Sequence, residues 1–330
     1  MQSLKKDEFC RKKYLMHKLV LLLFLFTSLN SRGSTSKDDI PEKPFENSHF
    51  AVIDSVRIHY RIWNAELKNP KGKILLIHGF CGSTFCWRNN ADTLAASGYK
   101  VVAVDLPGFG YSQRSAVLNQ SHSSRGKLIW KLLEQLDAKD TIKWNIVGHS
   151  MGGGTAEAVA LMNPGRAKSL TILDGMIFIT NDNVNLSIVG LVNHPIYKKM
   201  LLSYTEHKYL SFNNFRRELK GTYGFLPDSL TVMGYWEPLQ IEGTAETVVN
   251  LLANSHEIEN LDAKELSHLP VMVIWGKKDR TIRLRNGKKL KKAVPSIELR
   301  VIPNAYHMAM ETHPATFNKM LVEFLDKNNK

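Results

Sequence analysis

Apolar and polar residues alternate in the stretch 56–62. Val56, Ile58, Tyr60 and Ile62 fall on one side, with Arg57, His59 and Arg61 between them. That period of two predicts a strand with one buried face. Asp54-Ser55 offers a turn back to an earlier strand around 50–53, so the folded region opens with a hairpin. The pattern then changes. Short apolar runs at 74–77, 101–104, 146–147, 170–173 and 271–275 are rich in β-branched residues. Such runs fit parallel strands covered on both faces. Between them Leu128, Ile129, Leu132, Leu133 and Leu136 recur at helical spacing, as do Ala156, Val159, Ala160 and Met162. A last helix is marked by Pro314 near its start and by a stripe of Phe317, Met320, Leu321, Phe324 and Leu325. Strands alternating with helices predict an α/β fold, a mostly parallel central sheet with helices on both faces.

The alternation breaks between about Met176 and Leu266. Helical fragments carrying Tyr197, Tyr204, Tyr209, Phe212 and Phe215 fill this gap, and strand pattern resumes at Val271. This reads as a helical cap inserted between two strands. It would sit at the carboxyl edge of the sheet, where open α/β folds bind ligands.

Ahead of the hairpin, Lys12, Lys13 and Lys18 precede an unbroken apolar run at 19–26, and small or polar residues follow to 36. That order is the pattern of a secretory signal peptide. Met16 would open a compact version of it, and Ser31 and Gly33 fit cleavage after Gly33. The rival is an uncleaved membrane anchor, although a spanning helix wants roughly 20 apolar residues. The expected location is therefore exported (secreted or periplasmic) or membrane-anchored through the N-terminus. The expected organisation is a signal peptide or anchor at 1–33, a linker at 34–48, a core at 49–175, the cap at 176–266, and the rest of the core at 267–330.

The 330 residues, 43% of them hydrophobic, suffice for one substantial core. The 23% charged share is that of an ordinary globular domain, and no segment repeats. The net charge is +13, and residues 1–33 account for five of these charges. Lys277, Lys278, Arg280, Arg283, Arg285, Lys288, Lys289, Lys291 and Lys292 form one dense stretch. It reads as a solvated helix face, or more sharply as an attractor for anionic lipid or an acidic substrate. No nucleic-acid motif accompanies it, so no nucleic-acid partner is expected. Cys10 falls in the leader. Cys81 and Cys86 are expected as free thiols, although export would permit a disulfide. Their spacing matches no zinc or haem pattern, and H-E-x-x-H is absent. Neither metal nor cofactor is implied.

The strongest local signal is Gly148-His149-Ser150-Met151-Gly152-Gly153-Gly154, between a predicted strand and a predicted helix. A sharp strand-to-helix turn presses the backbone at 148 and 152 against its neighbours, where a Cβ would clash. The serine is then held in a strained state with its hydroxyl over the sheet edge. The helix behind it aims N–H groups and partial positive charge at the reacting oxygen, and the Met151 N–H is placed to bind an oxyanion. A phosphate loop would end in G-K-[ST], which is missing.

Four further motifs follow in order. They are His78-Gly79-Phe80, Asp105-Leu106-Pro107-Gly108-Phe109-Gly110-Tyr111-Ser112, Ile274-Trp275-Gly276-Lys277-Lys278-Asp279, and Asn304-Ala305-Tyr306-His307 with Glu311, His313 and Pro314 downstream. With the serine turn they make the chain from His49 onward resemble the α/β-hydrolase fold family, in its capped serine esterase and lipase-like branch. The resemblance implies an oxyanion loop at His78-Gly79, a catalytic acid at Asp279 and a histidine loop at His307.

The chemistry assigns the same roles. A serine hydroxyl needs an adjacent base near neutral pH, and histidine titrates in the right range. His307 lies past a predicted strand (298–302) and before the last helix. His78 and His149 are expected beneath the loop, and His313 at the helix start. An acid must orient the imidazole. Asp279 ends a strand and precedes the histidine in the order Ser, Asp, His; Asp174 is its rival, and basic neighbours would help keep Asp279 ionised. The second oxyanion donor would be the Phe80 N–H. Asp105 is expected to hold its own turn.

The resemblance implies two-step acyl transfer through an acyl-enzyme. Aromatic residues of the cap, among them Phe178, Tyr235 and Trp236, suggest a hydrophobic or lipid ester as the small-molecule substrate. Carbon–carbon bond hydrolases, peptidases and perhydrolases keep the same triad. Dehalogenases and epoxide hydrolases use an aspartate nucleophile, against which Ser150 argues. A ligand receptor on a hydrolase scaffold is the non-enzymatic reading. Oligomeric state is left open.

Overall fold

A computed structural model describes residues 40–115, 118–137, 141–175, 194–254 and 263–329. The leader at 1–33, with Cys10 and Met16, and the cap residue Phe178 lie outside the described residues.

Eight strands form one sheet: β1 (Ser48–Ile53), β2 (Val56–Trp63), β3 (Gly72–Ile77), β4 (Tyr99–Val104), β5 (Trp144–His149), β6 (Ala167–Leu173), β7 (Val271–Gly276) and β8 (Glu298–Ile302). Their order is β1-β2-β4-β3-β5-β6-β7-β8. β1 and β2 are the expected hairpin, antiparallel to each other, and β2 is antiparallel to β4; the other pairings are parallel. Every residue of β3, β5 and β7 is buried, as strands covered on both faces require.

The helices of the core are α1 (Ala91–Ala96), α2 (His122–Leu136) and α3 (Met151–Met162). The insert holds α4 (Pro195–Tyr204), α5 (Phe212–Tyr223), α6 (Ser229–Trp236) and α7 (Thr244–Asn254), between β6 and β7. The chain returns to the core with α8 (Arg285–Ala293), α9 (Ala309–Thr312) and α10 (Pro314–Asn328). α2 packs with α3, and α1 with α10. On α10, Phe317, Leu321, Phe324 and Leu325 are buried as the stripe predicts. The architecture is an α/β-hydrolase fold with a helical insert in the position of a cap. No helix among the described residues is long and apolar enough to cross a membrane.

Apolar runs underestimate the strands because some interior positions are polar and paired. Asn145 on β5 is fully buried; its Nδ2 donates to the Lys73 carbonyl (3.1 Å), and its Oδ1 accepts from Ser169 Oγ (2.6 Å). Lys73 on β3 is equally buried and pairs with Asp137 at 3.0 Å. Such groups are tolerated inside only when satisfied, and no local pattern announces their partners.

Arg114 ties the insert to the core. Its guanidinium donates to the Ser112 carbonyl (2.6 Å), the Pro238 carbonyl (2.7 Å) and Thr244 Oγ1 (3.2 Å). Burial lowers its pKa to about 10. Beside it, Gly108 holds φ 89°, and a Cβ there would collide with Thr247 of α7.

Candidate active site

Ser150 stands between β5 and α3 at φ 53°, ψ −122°. Its N–H donates to the Leu173 carbonyl on β6 (3.0 Å), and its carbonyl accepts from the Gly153 N–H (2.9 Å). The neighbouring glycines have the steric cause expected of them. A Cβ at Gly148 would meet the Gly152 carbonyl oxygen, and one at Gly152 would meet that of His78. A Cβ at Gly79 would lie 2.9 Å from Ser150 Cβ, so the 78–80 loop and the serine turn close on each other.

The structure brings Ser150, His307 and Asp279 into one line of hydrogen bonds. His307 Nε2 lies 2.9 Å from Ser150 Oγ, and His307 Nδ1 lies 2.8 Å from Asp279 Oδ2. With Asp279 ionised, Nδ1–H donates to the carboxylate and Nε2 accepts from the serine hydroxyl. The other carboxylate oxygen accepts from the Thr281 and Ile282 N–H groups (2.8 and 3.1 Å). Lys277, Lys278 and Arg280 form no direct ion pair with it among the described residues. These side chains are exposed, while the Asp279 side chain faces inward.

The two loops are zipped together. The Lys277 N–H donates to the Ile302 carbonyl (3.0 Å), and the Lys278 N–H to that of Ala305 (2.8 Å). Gly276 is required where they cross, since a Cβ would strike the Tyr306 carbonyl. From below, His149 Nε2 meets the His307 carbonyl at 3.0 Å. His78 accepts from the Leu106 N–H at Nε2 (2.9 Å) and turns Nδ1 to the Gly79 carbonyl (2.7 Å). Both rings pack beneath the loop as expected, and burial holds both pKa values below the ordinary one. His313 stands at the start of α10, as expected, without a side-chain cap bond.

Asp174, the rival acid, ends β6 at φ 44°. Its Oδ1 accepts from the Gly276 N–H (2.7 Å), while the imidazole bonds Asp279 instead. Burial, followed by the charge of Asp279, pushes the Asp174 carboxyl well above the usual range.

A cavity of about 200 Å³ opens onto Ser150 and His307. Phe80, Cys81 and Cys86 line one side; Tyr209, Phe215, Leu219 and Tyr235 of the insert line the other. Tyr235 therefore faces the site. Trp236 does not: its Nε1 donates to the Leu210 carbonyl (2.9 Å), and its ring packs on Phe212. Cys81 and Cys86 are free and buried, and burial raises both thiols. The Phe80 and Met151 N–H groups donate to no protein acceptor among the described residues.

Two buried clusters escaped the sequence reading. Asp105 does hold its turn, accepting from the Tyr111 N–H (2.8 Å), but it also accepts from the Thr84 N–H (2.5 Å) and pairs with fully buried His59 (2.7 Å). It thereby fastens the segment after β3 to the turn. The other cluster centres on Glu311, four residues after His307. It receives Arg88 (2.5 Å), the Tyr223 hydroxyl (2.5 Å) and the Tyr235 hydroxyl. Core and insert meet there. The available signal was the charge of Arg88 beside the apolar Trp87, which gives no partner. Among the described residues, no group of three or more His, Cys, Asp or Glu is placed to hold a metal.

An elbow serine hydrogen-bonded to an imidazole above an eight-stranded sheet of this order defines a serine hydrolase of the α/β-hydrolase superfamily. Residues 68–312 match the family described as serine aminopeptidase, S33, and the chain belongs to that family. It is 26% identical over 279 residues to the uncharacterized hydrolase YugF of Bacillus subtilis (strain 168), spanning 83% of this chain and 96% of that one. It is 29% identical over 290 residues to a 2-hydroxy-6-oxononadienedioate/2-hydroxy-6-oxononatrienedioate hydrolase of Paraburkholderia phymatum, spanning 82% and 91%. A thermophilic esterase from Thermogutta terrifontis shares the fold, with a TM-score of 0.67 at 17% identity over 86% of this chain and 99% of that one.

Proposed function

We propose that the protein cleaves an uncharged, hydrophobic carboxylic ester through an acyl-enzyme on Ser150. His307 takes the hydroxyl proton as the oxygen attacks the ester carbonyl, and Asp279 stabilises the imidazolium. The tetrahedral oxyanion rests on the Phe80 and Met151 N–H groups. One such donor is typically worth about 3 kcal/mol of transition-state stabilisation. His307 then protonates the departing alcohol and activates the water that releases the acid.

The observation that carries this reading is the composition of the cavity. Its described lining is mostly apolar and aromatic, with no Lys or Arg, and its one carboxylate is Glu218. The dienedioate of the Paraburkholderia relative's name is a dicarboxylate. Within that lining a carboxylate finds no cation, and desolvating one there is strongly unfavourable, which sets that carbon–carbon substrate behind a neutral ester. An aminopeptidase reading, from the family's description, shares the triad and remains the second choice.

A fluorophosphonate should label Ser150, and p-nitrophenyl esters of graded acyl length should be turned over. Ser150→Ala should lower kcat by about 10⁶-fold. Dienedioate turnover exceeding that of every ester would overturn the ester assignment. Ester turnover surviving Ser150→Ala would overturn the nucleophile.

A further inference from the structure

The segment 277–292 holds nine Lys or Arg and a single acid, Asp279, which is turned inward to His307. Lys277, Lys278, Arg280 and Arg283 are exposed on the loop from β7 to α8, at the carboxyl edge of the sheet. On α8, Leu290 is fully buried and Gly287 lies against the Trp275 ring. That packing turns Arg285, Lys288, Lys289 and Lys292 outward as one exposed stripe.

These eight side chains form no ion pair among the described residues, and Glu265, on the turn packed against α8, reaches none of them. Some other surface cations find partners, as in Lys131 with Asp54 (2.5 Å) and Arg300 with Glu298 (2.6 Å). What sets this segment apart is nine cations within sixteen residues. Like charges this dense repel one another, and an anionic partner relieves that repulsion.

The patch is continuous with the active-site mouth. Thr281, in the same loop, lines the cavity, and Arg280 sits 5.8 Å over the ring of Tyr306, beside His307. At the same mouth Phe80 is 40% exposed. A cationic face beside an apolar entrance matches a surface with anionic headgroups above an apolar interior, which a nucleic acid does not offer.

We propose that the 277–292 face docks the protein onto an anionic lipid surface, with the cavity mouth turned toward it. The docking goes beyond the hydrolase reading, and rests on that reading only in preferring lipid to other polyanions.

The test is co-sedimentation of the full chain with phosphatidylcholine vesicles, with and without about 30 mol% phosphatidylserine. Wild type should bind the anionic vesicles far more tightly and be released as salt shortens the screening length. The combined variant Arg285→Gln, Lys288→Gln, Lys289→Gln, Lys292→Gln should bind them up to about a thousandfold more weakly, with turnover of a soluble p-nitrophenyl ester unchanged. Because wild type and variant share the same N-terminal segment, the difference between them reports the patch alone. Unchanged binding by the variant, equal binding to neutral vesicles, or binding to duplex DNA but not to vesicles would each overturn the proposal. Binding is also measured on Ser150→Ala, so loss of the ester reading leaves the docking result intact.

Discussion

At Ser150 the backbone lies at φ 53°, a state that residues with a Cβ keep only when their surroundings impose it. Here the N–H bond to Leu173 and the close approach of Gly152 to His78 impose it, and the hydroxyl consequently meets His307. Asp174 shows a different residue-scale cost. Its carboxyl, raised by burial and by Asp279, takes up a proton on folding between its folded pKa and about pH 4, the ordinary carboxylate value. Stability from this group therefore falls as pH rises from there through the folded pKa. Asp174→Asn removes that titration. Its melting temperature relative to wild type should climb as the pH is raised from about 4; a difference that does not change with pH would refute the assignment.

Elements meet at the site through contacts that admit no added atom, or that leave charge stranded when broken. Gly152→Ala would drive a methyl into the carbonyls of Ile77, the last residue of β3, and of His78 just after it. Backbone cannot yield as a side-chain tip can, so the expected cost is about 2–3 kcal/mol, with ester turnover lost; a urea midpoint like that of wild type would contradict this. Glu311, on α9, gathers Arg88, Tyr223 of α5 and Tyr235 of α6. Glu311→Ala leaves the guanidinium partly buried and unpaired, at a cost of about 3–5 kcal/mol. Glu311→Gln keeps acceptor capacity and should fall between the two in denaturant unfolding.

On the scale of the whole molecule, the core and the insert both line the cavity, so the room for an acyl chain is bounded where they face each other. Leu219 on α5 is one wall. Leu219→Ala should favour longer acyl chains, by roughly fourfold in relative kcat/KM for each methylene newly accommodated. The ester panel reads this directly, and an unchanged chain-length profile would show that Leu219 does not bound the acyl pocket. Glycine at 224 allows α5 to end against the Tyr306 ring, and the Met308 N–H donates to the Thr222 carbonyl at 3.3 Å. The insert is thereby braced against the histidine loop as well as roofing the cavity.

Periodicity along the chain determined the order of strands and helices, because which face is buried repeats at fixed spacing. The serine turn was equally legible, because its glycines answer local backbone crowding at 148 and 152. What only the tertiary structure decided is pairing across distance. Glu311 chose Arg88 and two tyrosines of the insert, whereas the choice of Asp279 over Asp174 for His307 was already legible in the order Ser, Asp, His. Arg114 bridged to Pro238 and Thr244, and Tyr235 rather than Trp236 turned to the cavity. A buried polar group must find a partner, but its partner is selected by how elements pack, and no one-dimensional pattern records that geometry.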